Sequence, residues 1–134
     1  MKNVSPWATV HVSIADAGNP HAILFGEYTR PEIDRLGPPI ATHGDFPNGT
    51  NVEFARVADG AIDLVVWERG VGVTLACGTG ACATLAVACA KGWLPKDVAT
   101  TVRLPGGALS ITIDGASGRA IMRGPARRVF VGEY

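Results

Sequence analysis

The sequence predicts an α+β fold in which a mostly antiparallel sheet wraps around one central helix. Three observations carry that expectation. Short stretches of alternating apolar and polar residues recur along the chain, as half-buried strands require. One segment, residues 80–90, is small and mostly apolar on every side, the pattern of a helix buried on most faces. No G-x-G-x-x-G follows a strand, which argues against a dinucleotide-binding parallel sheet.

In chain order, WATVHVSIAD sets Val10, Val12 and Ile14 against His11 and Ser13 and reads as a strand with one buried face. After a break at AGNPH, AILFGEY reads as a second strand. TRPEIDRLGPPIATH reads as a short helix: Thr29 or Arg30 at the cap, Pro31 in the first turn, Ile33 and Leu36 on one face, and Gly37-Pro38 ending it. GDFPNGT is a polar loop. NVEFARV and AIDLVVWER flank Asp59-Gly60, a strong turn signal, and form a hairpin. The central helix follows, and Gly92 stops it. ATTVRL, ALSITID, RAIMRG and ARRVFVGEY complete the chain as strands, the first three separated by PGG and GASG turns. At 134 residues, one domain over residues 1–134 is expected, with enough length for one core.

Lysine plus arginine and aspartate plus glutamate number 12 each, so neither nucleic acid nor an anionic membrane is an expected partner. Arg119, Arg123, Arg127 and Arg128 gather near the end, where a solvated strand edge accounts for them. Hydrophobic residues make up 47% and charged ones 18%, the balance of a compact protein rather than a disordered chain. The longest apolar run, LACGTGACATLAVACA, is too short to span a bilayer, and the first residues carry no signal-peptide pattern. The three cysteines, Cys77, Cys82 and Cys89, show neither a CxxC nor a histidine at ligand spacing, which argues against a disulfide framework and against a zinc site. Free thiols suit a reducing compartment, so the cytoplasm is the expected location.

Cys77 differs from the other two. It precedes Gly78, Thr79 and Gly80, at the start of the central helix. The first backbone N–H groups of a helix have no partner within it, and together with the helix dipole they favour an anion there, thiolate or ligand carboxylate. Such a position lowers a thiol pKa from ~8.5 towards neutrality, where the group serves as acid or base. On spacing alone, a core thiol and a reactive thiol are equally good readings of Cys77. Cys82 and Cys89, seven apart, lie on one helix face and are expected to fill core volume. Glu68-Arg69 ends an apolar strand just before the cysteine turn, as a surface ion pair or as a clamp for a carboxylate and an ammonium. Asn19, Asn51 and His21 have equally ordinary structural readings taken singly.

Taken together, GNPHAILF, FPNGTNVEF, WERGVGVTLACGTGACA, VRLPGGALSI and MRGPARRVFVGEY, in this order, resemble the carboxy-terminal half of the diaminopimelate epimerase family. The resemblance implies one half of a pseudo-symmetric fold, each half a sheet wrapped round a central helix, with substrate between them. It implies interconversion of LL- and meso-2,6-diaminopimelate by two cysteines, without pyridoxal phosphate, metal or other cofactor. Cys77 resembles one of those acid/base cysteines. Gly78 and Thr79 match positions that hold the α-carboxylate, and Asn19, Asn51, Glu68 and Arg69 match other substrate-contacting positions. His21 and Glu68 match residues that tune the cysteine pair. Two positions depart from the pattern: Val73 stands where the family has glutamate, and Gly49 replaces a commonly basic residue, which is expected to loosen the loop before Asn51.

The family's other cysteine turn does not occur in these 134 residues. Two-sided proton transfer needs an acid and a base on opposite faces of the α-carbon. The expectation is therefore an isolated domain that is inactive alone and has the family's amino-terminal half as its partner. A homodimer presenting Cys77 twice is an alternative, as are a related amino-acid racemase and a non-catalytic carboxylate-binding module.

Overall fold

Alternation of β-branched and polar residues builds most of this chain into one curled sheet. The computed structural model describes residues 2–5, 8–10, 12–16, 20–44, 46–68, 70–74, 78–123 and 131–133. In chain order the strands are β1 (Lys2–Ser5), β2 (Ala8–Val10), β3 (Ser13–Asp16), β4 (Pro20–Phe25), β5 (Asn51–Ala58), β6 (Ala61–Glu68), β7 (Gly72–Thr74), β8 (Thr100–Leu104), β9 (Gly107–Ile113), β10 (Ala120–Arg123) and β11 (Val131–Glu133). The helices are α1 (Arg30–Ala41), between β4 and β5, and α2 (Gly78–Ala90), between β7 and β8. β1 and β2 form a hairpin of their own. The remaining strands form a nine-stranded sheet in the order β11-β10-β9-β8-β6-β5-β4-β3, with β7 also paired to β6. Pairing is antiparallel except at β4–β5 and β6–β8, so the sheet is mixed but mostly antiparallel, as expected.

The two faces follow from the period of two along each strand. Ile23, Ala55, Ile62, Leu64 and Val66 face α2 and join Ala81, Cys82, Leu85, Ala88 and Cys89 in the larger core. Ala22, Leu24, Val52 and Phe54 point the other way, against Ile33, Leu36 and Ile40 of α1. Helix α2 packs against β3, β4, β5 and β6 and also against β9 and β10, so strands from both ends of the sheet curl around it. Its small side chains are what permit so close a wrap. Gly92, at φ 78°, ends the helix, and the Trp93 amide donates back to the Ala88 carbonyl at 3.0 Å, a glycine-terminated helix end. The Asp59-Gly60 hairpin forms as expected, with both residues at positive φ (53° and 74°) and Ala58 opposite Ala61.

Three local expectations are corrected. Helix α1 does not end at Gly37-Pro38 but continues through Pro38 and Pro39 to Ala41. Its buried face, including Leu36, Gly37, Ile40 and Ala41, outweighs the two lost backbone bonds. Thr42 then accepts the role of terminator, its amide and hydroxyl both donating to the Pro38 carbonyl. At the other end Thr29 is the cap, in a reciprocal capping box with Glu32. Ile14 is not part of a buried face: it is 54% exposed, on the last described strand of the sheet in that direction. Gly49 does not loosen its loop. It takes φ 79°, its amide donates to the Phe46 carbonyl at 2.8 Å, and the next amide, of Thr50, donates to Ala41 at 3.0 Å.

Candidate active site

The sheet's α2 face carries a polar group at one end. β4 and β5 are parallel with His21 opposite Asn51, and β6 runs antiparallel to β5, so Glu68 at the end of β6 lies at the same end of the sheet. His21, Asn51 and Glu68 all fall on the face that α2 covers, by alternation with Ile23, Ala55 and Val66. The structure thus brings together three of the residues singled out from the sequence. Asn51 and Glu68 are half-buried, and His21 is completely buried.

Gly78 and Thr79, both half-buried, are the first two residues of α2. β7 pairs with β6 and sets Thr74 beside Val66. Four chain steps separate Thr74 from Gly78, which keeps the helix start within about 14 Å of this end of the sheet. Asn19, Arg69 and Cys77 lie outside the described residues. Cys82 and Cys89 are buried in the larger core, as expected of packing residues, and burial pushes the Cys89 thiol pKa up.

One residue was missed by the sequence reading. Glu53, two positions beyond Asn51, is completely buried on the same face, and its Oε1 shares a hydrogen bond with Nδ1 of His21. Burial raises its carboxyl pKa, His21 opposes that rise, and the negative charge of Glu68 adds to it. Among the described residues, His21 Nε2, Glu53 Oε2 and the Thr74 hydroxyl are buried without a hydrogen-bond partner. The signal for Glu53 was present in NVEFARV: strand parity places a glutamate at an inward position, with Asn51 and Ala55. No group of His, Cys, Asp or Glu suited to a metal ion occurs among the described residues.

An amide, two carboxylates and an imidazole at the end of the sheet from which the chain passes into α2 suit a ligand carrying both an ammonium and a carboxylate. A separate open cleft of about 660 Å³ lies towards the α1 side, and its charged lining is already paired. Asp63 accepts from Arg103 at 2.6 Å and Arg56 at 3.4 Å, and Arg56 also donates to Glu27 at 3.0 Å.

The family described as diaminopimelate epimerase matches residues 13–129. The chain belongs to that family. Curated diaminopimelate epimerases from Gloeothece citriformis and Stutzerimonas stutzeri are 44% and 45% identical to it, each over 92% of this chain. The chain covers 44% and 45% of those two proteins, so it spans less than half the length of these relatives. The fold is also that of a probable proline racemase from Agrobacterium radiobacter, solved with bound carbonate (TM-score 0.65, 18% identity, 98% of this chain and 44% of that one). A hydroxyproline epimerase from Agrobacterium vitis, solved with trans-4-hydroxy-L-proline, is similar too (TM-score 0.62, 21% identity, 96% of this chain and 42% of that one). The epimerase-family departure at Val73 falls away from the polar group: Val73 pairs with Trp67 and packs in the α1 cluster, on the opposite face from Thr74.

Proposed function

We propose that this chain is a single domain forming the carboxy-terminal half of a cofactor-independent epimerase that interconverts LL- and meso-2,6-diaminopimelate in the cytoplasm. The observation that carries this reading is family membership over residues 13–129, with the sequence Cys77-Gly78-Thr79-Gly80 leading into the central helix. In this reading Cys77 is the acid/base thiol for one face of the α-carbon. As thiolate it removes the α-proton, the electron pair stays on the α-carbon, and a second thiol on the opposite face returns a proton there. One Cα–H bond and one S–H bond break, one of each forms, and the two sulfurs exchange protonation states. The amides of Gly78 and Thr79, with the Thr79 hydroxyl, hold the α-carboxylate, where the helix dipole favours negative charge. Arg69 receives the distal carboxylate, Glu68 an ammonium, and Asn19 and Asn51 orient the chain between them. His21 and Glu68 tune the thiols. The second thiol comes from an amino-terminal half, so the 134 residues alone are inactive.

The test is incorporation of solvent deuterium at the α-carbon of LL- and meso-diaminopimelate, with this chain alone and with an amino-terminal half from a relative added. Exchange that needs the added half and is abolished by Cys77→Ala is expected. Exchange from the chain alone would overturn its inactivity. No exchange in either mixture would overturn the epimerase reading and favour a binding module.

A further inference from the structure

We infer that Glu53 is a positioning residue for His21, holding the imidazole as its Nδ1–H tautomer so that Nε2 is left as a proton acceptor for the site. The inference deepens the epimerase reading and rests on it for the use to which His21 is put. The motif residues include His21 and leave Glu53 without a part.

Both side chains are 0% exposed, and Nδ1 of His21 shares a hydrogen bond with Oε1 of Glu53. Glutamate is almost never fully buried unless it is paired. A pair of this kind is also poor as a purely structural device, since aliphatic side chains of similar volume stabilise a core as well or better. Their neighbours on this face, Ile23, Ala55 and Val66, show that an apolar filling was available. The pair moreover leaves polar capacity unspent, at His21 Nε2 and Glu53 Oε2. It lies on the face shared with Asn51 and Glu68 and covered by α2.

Which imidazole nitrogen carries the proton is set by the hydrogen bond the other makes. With Nδ1–H given to Glu53, Nε2 keeps its lone pair. A proton accepted there from an acid of the site makes an imidazolium, and the Glu53 carboxylate stabilises that cation, as the buried carboxylate of a catalytic triad does. The proton goes back to the same acid, so nothing is consumed. Glu68, from β6, opposes ionisation of Glu53. Helix α2 brings no charged side chain to the pair, and β3 ends at Asp16.

The test uses this chain with ¹⁵N-labelled histidine, the His21 ring signals being assigned with His21→Gln. At neutral pH the Nδ1–H tautomer is expected. In Glu53→Leu the ring should move to the Nε2–H tautomer. The pH midpoint for alkylation of Cys77 by iodoacetamide, followed by mass spectrometry, should rise by about one pH unit. Glu53→Asp should restore part of both. An Nδ1–H tautomer that survives in folded Glu53→Leu, or an unmoved midpoint, overturns the inference. Should Glu53→Leu fail to fold, Glu53→Met keeps the length without the carboxylate acceptor, and the same two outcomes decide. If diaminopimelate shows no exchange while tautomer and midpoint both shift, the epimerase reading falls and the hold of Glu53 on His21 stands.

Discussion

His21 and Glu53 set the energetics of the site at the scale of single residues. A buried carboxylate is tolerable only while its partner stays, and removing one member of such a pair costs about 3–5 kcal/mol. His21→Leu is therefore expected to destabilise the chain by about that amount at neutral pH. The loss should depend on pH, and its sign follows from the raised pKa of Glu53. Because burial lifts the folded-state value above the unfolded one, the folded chain binds more protons in the window between them, and stability falls as pH rises through it. Without His21, which pulls that pKa down, the window widens. Urea unfolding of His21→Leu should accordingly show a larger deficit against the native chain at pH 8 than at pH 5. A deficit independent of pH would mean that Glu53 is not the group left unpaired.

Helix α1 and its neighbouring strands show how an element's fit is decided by what it meets. Gly37 lies where a Cβ would stand 2.5 Å from the Trp67 ring, too close for any real contact. Alanine is the better helix former by about 1 kcal/mol, yet overpacking of this kind costs about 1–3 kcal/mol. Gly37→Ala should thus lower the denaturant midpoint, and Gly37→Ala with Trp67→Leu should recover part of the loss. In the central helix the opposite substitution matters: Leu85 is completely buried, and Leu85→Ala is expected to cost about 2–5 kcal/mol in the same measurement. The same contacts explain what could be read beforehand. The hairpin at Asp59-Gly60, the stop at Gly92 and the packing roles of Cys82 and Cys89 are local, and local chemistry predicts them. The passage of α1 through Pro38 and Pro39 is not local, because it depends on Ile40 and Gly37 packing against strands distant in sequence, Trp67 of β6 among them. Glu53 was hidden for a similar reason. Its parity was legible in NVEFARV, but its partner is 32 residues away on a strand whose register the sequence does not state.

At the scale of the whole molecule, the curled sheet leaves apolar side chains in water at its margin. β3 is the last described strand on its side of the sheet, and Ile14 on it is 54% exposed. A strand edge with no partner among the described residues and an exposed isoleucine is a template for another chain, whether the proposed amino-terminal half or a second copy of this one. The chain alone is expected to associate with rising concentration in sedimentation velocity. Burying one isoleucine contributes about 1.5–3 kcal/mol, so Ile14→Lys should weaken association by about tenfold to a hundredfold. A chain that stays monomeric at all concentrations would show that this edge is closed by residues outside the described ones. Association also bears on chemistry, because a pair of chains would contain two copies of Cys77. If α-proton exchange grew with the associated fraction and fell in Ile14→Lys, both thiols of the reaction would come from one sequence, and inactivity of the chain alone would be overturned. Association without exchange would leave the proposed inactivity of the chain alone standing, with the edge strand as a surface open to the proposed amino-terminal half.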